Sequence, residues 1–289
     1  MRPFFHRGMA VLLSWCLLMA GARDGFGFQN DQPVSRATQQ SPDQLQQLVA
    51  PIALYPDALI AQILPAATYP EQVLAADRWM EQHEELEGDQ LAKEVDKQSW
   101  DASVKALAQC PAVLANMRRN LAWTAELGGA YINQQQELSQ AVQTMREQAR
   151  QAGNLNTTPE QNVETTGNTI VIQSADTDIV YVPQYDPWRV YGAPLAVFPG
   201  WHPYPGLHLD GPGIGFGLGF GVGPFAGFGW GWHHWDFDWD DHGRVMYNHN
   251  TYISHGTAGM QSGFGGFRGG GFGGGGFRGG GGHGGGGHR

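Results

Sequence analysis

Cysteine is nearly absent: Cys16 and Cys110 are the 2 in 289 residues. Cys16 lies in an N-terminal apolar stretch that reads as a removable signal. Its loss leaves Cys110 alone and excludes an internal disulfide in the mature chain. An exported chain without disulfides must rely on its core. Cys110, beside Pro111 among Ala and Leu, reads as a buried small hydrophobe rather than a nucleophile. Positive charge is also scarce, with 17 Lys and Arg against 27 Asp and Glu and a formal charge of −10. That balance argues against a nucleic-acid partner. Catalytic signatures are missing as well. There is no GxSxG elbow and no phosphate loop ending in GK[ST]. "HEELE" at His83 places Glu87 where a zinc-protease helix needs its second His. The Gly-x-Gly matches after residue 211 follow no strand-to-helix pattern, so they are composition rather than a dinucleotide site.

What is present begins with an export pattern. Arg2 and Arg7 precede an apolar run from Met9 to Ala20, and Ala20-Gly21-Ala22 is a small-x-small cleavage site. Residues 1–22 are therefore expected to be a signal peptide. Residues 23–42 are polar without an apolar period, as in a disordered linker. Residues 48–68 are the most hydrophobic part of the mature chain and approach the length of about 20 residues that a membrane span needs. Pro51, Pro56 and Pro65 interrupt them and Asp57 lies inside. The pattern fits short packed helices better than one span.

Two related phrases explain the prolines. "YPDALIA" starts at Tyr55 and "YPEQVLA" at Tyr69. Pro suits the first helical position, and an acid in the first turn favours the helix dipole. Apolar residues follow at Leu59 and Ile60, then at Val73 and Leu74. Pro111, Val113 and Leu114 repeat the device without the acid, so helices are expected from about 56, 70 and 111. Asp57 and Glu71 then serve helix starts; a carboxylate pair for hydrolysis is the alternative reading. Further helices are expected over 89–108, with a break at "SWDAS", and over 121–152. In the latter, Tyr131, Leu138, Val142, Met145 and Ala149 form a stripe, and Gly153-Asn154 supplies a stop. "TIVIQS" and "DIVYV" are expected to pair as a β-hairpin through the turn residues "SADTD".

The expected fold is thus mainly α: a compact helical domain with a C-terminal β-hairpin over 43–192, then a Gly/Trp/His-rich arm over 193–255 and a disordered Gly-rich tail over 256–289. "LVAPIALYPDALIAQILPAATYPEQVLAADRWM", "SVKALAQCPAVLANM" and "IVYVPQYDPWRVYG" resemble the bacterial domain-of-unknown-function family 3300 over roughly residues 43–192. That resemblance implies an exported or membrane-associated protein and carries no catalytic or binding residues with it.

From Gly211 to Gly223, Gly alternates with Pro212, Ile214, Phe216, Leu218, Phe220 and Val222. An extended chain there has one apolar face and one bare face. Glycine's entropy favours poor order for this segment in isolation. The following stretch interleaves tryptophans with His233, His234, Asp236, Asp238 and His242. Imidazole with carboxylate suits a divalent transition metal, and these five residues are the candidate ligands. Trp with Asp also suits a glycan, and the bland alternative is a strand pair with one aromatic and one solvated acidic face. The tail carries Arg268, Arg278 and Arg289 in Gly-Phe repeats, a flexible spacer or a weak contact for anionic lipid or glycan. Together these features point to an envelope protein that contacts a membrane surface, glycan or protein without catalysis. An enzyme acting on envelope polymers through acidic residues and a metal-handling protein are the alternatives.

Overall fold

A computed structural model describes residues 39–240 and 243–253. The expected signal peptide, most of the linker and the Gly-rich tail lie outside the described residues. Eight helices come first among them: α1 (Pro42–Val49), α2 (Asp57–Ala67), α3 (Pro70–Glu81), α4 (Gly88–Asp96), α5 (Ala102–Leu107), α6 (Pro111–Arg119), α7 (Leu121–Asn133) and α8 (Gln135–Gln151). The prolines start α3 and α6 and precede α2, as their positions require. Ser41 and Gln44 form a reciprocal capping box on α1. Asp101 caps α5 by accepting from the Ser103 N–H, which is the break expected in "SWDAS".

The single helix expected over 121–152 is two. The chain leaves helical geometry at Gln134, with φ −142° and ψ 44°. Its side chain explains the break, because it accepts from the Gln40 N–H at 2.7 Å and donates to the Gln40 carbonyl at 3.0 Å. A helix terminus is exchanged for a clamp on the entry to α1. Gly153, at φ +77°, ends α8 as expected, and the Asn154 N–H reaches back to the Ala149 carbonyl.

The hydrophobic stretch 48–68 is the centre of the core. Leu48, Ile52, Leu54, Tyr55, Ile60 and Leu64 are each at most 1% exposed. Turns over 50–56 carry the chain from α1 into α2. Carbonyls at the end of α1 and the start of these turns are claimed by distant donors: Trp123 Nε1 donates to Leu48, and the Tyr185 and Tyr191 hydroxyls both donate to Ala50. Among the described residues no helix is long and apolar enough to cross a membrane. Helices α2 and α7 meet closely at Gly128, where a Cβ would run into the Ala67 carbonyl.

The expected hairpin pairs differently. Strand β1 (Gln161–Thr166) pairs with β2 (Thr169–Ser174), and Gly167 takes the turn at φ +61°. "QNVETT" is polar on most of its length, so no apolar alternation marked it as a strand. Strand β3 (Ile179–Val180) instead pairs with β6 (Phe220–Gly221), and β4 (Pro183–Tyr185) with β5 (Ile214–Phe216). The Gly-alternating segment therefore has strand partners here. Its bare face has a use: a Cβ on Gly219 would strike the Tyr181 ring and Ile179. Strands β7 (Trp235–Asp238), β8 (Arg244–Tyr247) and β9 (Asn250–Thr251) form an antiparallel meander.

The described part of the Gly/Trp/His-rich segment lies against the helices. Val197, Trp201, Val222, Trp232, Trp235, Phe237 and Val245 join the main core. Phe225 and Trp230 pack with Leu91 and Val95 of α4, and Trp230 Nε1 donates to Asp96 at 2.9 Å.

Two outcomes test this packing. Gly128→Ala should lower stability by about 1–3 kcal/mol through overpacking, read as a reduced urea midpoint. Cys110 is buried, and burial pushes its thiol up to about 12. It should therefore resist iodoacetamide in mildly alkaline buffer while the chain is folded and react after guanidinium unfolding.

Candidate functional site

Helix α2 begins at Asp57, and the side chain that opens the helix also closes the floor of a cleft. Asp57 is only 5% exposed. Arg146 of α8, fully buried, places Nη1 2.7 Å from Asp57 Oδ1. Trp239 Nε1 donates to Oδ2 at 2.7 Å, and the Ile172 N–H approaches Oδ1 at 3.4 Å. The rest of the guanidinium is satisfied by carbonyls: Nε donates to Ala53, Nη1 to Ile170 and Nη2 to Tyr55. The Trp239 ring lies 4.7 Å from the guanidinium carbon and 4.1 Å from the Phe237 ring. Burial pushes the Asp57 carboxyl above its ordinary range, while Arg146, Trp239 and the Ile172 N–H oppose that rise.

Arg146 is not singled out by the stripe Tyr131, Leu138, Val142, Met145 and Ala149, where it falls among the intervening Gln, Glu and Arg residues. One signal was available. It stands four residues after Val142 and three before Ala149, on the buried stripe itself. Asp77 repeats the theme on a smaller scale. It is buried on α3 and paired with Arg118, and burial raises its carboxyl against that pairing.

Above Asp57 the cleft opens to about 900 Å³ between β1–β2 and residues 232–240. His233, His234, Asp236 and Asp238 all line it. Asp236 and Asp238 lie on the open face of β7, while Trp235 and Phe237 bury on the other, as the alternation requires. Of the candidate ligands, His242 lies outside the described residues. Among those residues, His233, His234, Asp236 and Asp238 do not bring three ligand atoms within 4.8 Å of one another. The group that does so is Asp186, His208 and Asp210, away from this cleft. Glu71, exposed in the first turn of α3, is not among the cleft residues.

Eight helices bearing small antiparallel sheets around a buried ion pair define the kind of domain this is. Residues 41–262 match the family model described as "Protein of unknown function (DUF3300)", and the chain belongs to that family. It is 34% identical over 181 residues to "Uncharacterized protein YacH" of Escherichia coli (strain K12). That match spans 52% of this chain and 29% of the relative, so the chain covers less than a third of that protein's length. No solved structure matches.

The two acids that look alike in sequence should behave differently. Asp57→Ala strands the Arg146 cation in the core and should cost about 3–5 kcal/mol. Glu71→Ala removes only a helix-dipole contact and should cost about 1 kcal/mol or less. Denaturant unfolding of the two variants reads the difference. An Asp57→Ala/Arg146→Met pair should recover part of the larger loss.

Proposed function

We propose that this chain is an exported cell-envelope protein whose folded body binds envelope glycan in the Asp57-floored cleft without chemically altering it. The observation that carries the reading is the rigid aromatic platform at the cleft. Trp239 is fixed at its N–H by Asp57 and at its ring by Arg146 and Phe237. Glycans combine apolar C–H faces with hydroxyl rims, so an aromatic ring beside polar side chains fits them. Asp236, Asp240, Thr169, Thr177 and His233 supply that rim.

The charge arrangement supports a binding rather than a catalytic role. Both Asp57 oxygens already accept hydrogen bonds, from Arg146 and Trp239. A general acid or base needs a carboxyl free to exchange its proton with substrate. Asp57 positions Trp239 instead. The N-terminal signal pattern supports export, and the Arg-bearing Gly-rich tail supports a secondary contact with anionic lipid or glycan.

Soluble cell-wall glycan fragments should quench the tryptophan fluorescence of the full chain and emerge with unchanged length. Asp236→Ala with Asp240→Ala should weaken that binding by about tenfold, as expected for lost hydrogen bonds to ligand. No quenching, or quenching that these variants leave intact, refutes the cleft as the glycan site. Shortened fragments would support the enzyme alternative.

A further inference from the structure

Away from the cleft, the pairing of β4 with β5 brings a second set of donor atoms together. Asp186 follows β4 directly. His208 and Asp210 sit on the loop that leads into β5. One ring nitrogen of His208 and one carboxylate oxygen from each aspartate lie within 4.8 Å of one another. His208 Nε2 is 3.2 Å from Asp210 Oδ1. The other ring nitrogen, Nδ1, is buried and meets no hydrogen-bond partner. A buried nitrogen left unanswered is costly.

We propose that Asp186, His208 and Asp210 form a binding site for a divalent first-row transition ion. The ligand set is one imidazole and two carboxylates, the mixture that suits such an ion. An all-oxygen set would favour calcium or magnesium instead. Three protein ligands leave coordination positions for water or an external ligand.

The site is held in place from both sides. The Trp188 N–H donates to Asp186 Oδ1 at 2.9 Å and fixes the carboxylate. Gln184 Nε2 donates to the Gly206 carbonyl at 2.8 Å and ties the His208 loop to β4. Leu207, 8% exposed, anchors that loop in the core. The Trp188 ring stands edge-on to His208 at 6.4 Å and packs on Trp201, walling the site on one side. Such surrounding contacts orient metal ligands.

Asp210 is 98% exposed and gives an ion an entry from water. Ligand atoms around a tetrahedral ion lie about 3.5 Å apart at ordinary metal–ligand lengths. The exposed Asp210 side chain has room to move toward that spacing. Arg189, whose Nε lies 3.6 Å from Asp186 Oδ2, is 68% exposed and can withdraw when a cation arrives. The site stands apart from the proposed glycan cleft, and neither reading depends on the other.

The test is calorimetric titration of the full chain with Zn²⁺, and with Mg²⁺ for comparison, alongside thermal unfolding. One equivalent of Zn²⁺ should bind and raise the melting temperature, and Mg²⁺ should not compete. Asp210→Asn, at a solvent-exposed carboxylate, should keep the fold and weaken that binding at least tenfold, as should His208→Gln. Co²⁺ bound in place of Zn²⁺ should give a visible spectrum that Asp210→Asn alters. His233→Gln/His234→Gln should leave affinity unchanged. An absence of Zn²⁺ binding overturns the proposal. So does binding that survives both Asp210→Asn and His208→Gln, since the ion would then sit elsewhere, on the cleft or tail histidines.

Discussion

The Asp57–Arg146 contact is the constraint on which the remaining structure depends. A guanidinium cannot shed its proton, so burying Arg146 commits the fold to supplying an anion and enough acceptors. The chain meets that demand from distant places. The turn after α1 gives the carbonyls of Ala53 and Tyr55, β2 gives that of Ile170, and α2 gives the carboxylate. Trp239 completes the arrangement from the C-terminal segment. One cation thereby aligns α2, α8, β2 and the turn that follows β7. The contact is geometric specification more than net stabilisation, because desolvation offsets much of the attraction.

This arrangement bears on the proposed role of the cleft. Its base is neutralised and rigid, while its rim is acidic and open. In the proposed glycan binding, the contacts come from the rim and from the face of Trp239, which the ion pair keeps from turning. A preorganised aromatic surface loses little rotamer freedom on binding. The three groups at Asp186, His208 and Asp210 follow the same logic on the other sheet. There too, a backbone N–H beside a strand end holds one carboxylate, and a strand side chain ties down the loop that carries the other two groups.

Much of the helical half was legible in sequence because its signals are local. Pro56, Pro70 and Pro111 mark helix starts through a missing N–H and a fixed φ, and both act without tertiary help. Gly153 marks an end for the same kind of reason. The prolines also told correctly against a span over 48–68. The break at Gln134 was not legible, because its cause is a side chain reaching Gln40. The strand pairing was not legible either. β3 and β4 find partners in the glycine alternation some 30 to 40 residues later, and a period-two pattern names a face but not a neighbour. Of the alternating acids Asp236, Asp238 and Asp240, whose spacing suggests one side of a strand, the first two lie on one face of β7 and Asp240 falls in the turn after it. Arg146 was hidden because charge on a helix usually means solvent. His208 and Asp210 were hidden because their third partner, Asp186, is brought near only by the β4–β5 pairing.

The sequence distance between the members of the central contact has a consequence for the order of events. Asp57 and Trp239 are 182 residues apart, and the Tyr252 hydroxyl reaches Asp101 across 151. Contacts of such span close late, after the loop entropy between them has been overcome. The N-terminal helices can collapse as soon as they emerge, but their buried arginine lacks its final cover until nearly the whole chain is available. The segment that locks the fold is made late, so the earlier part stays pliable until Trp239 is available.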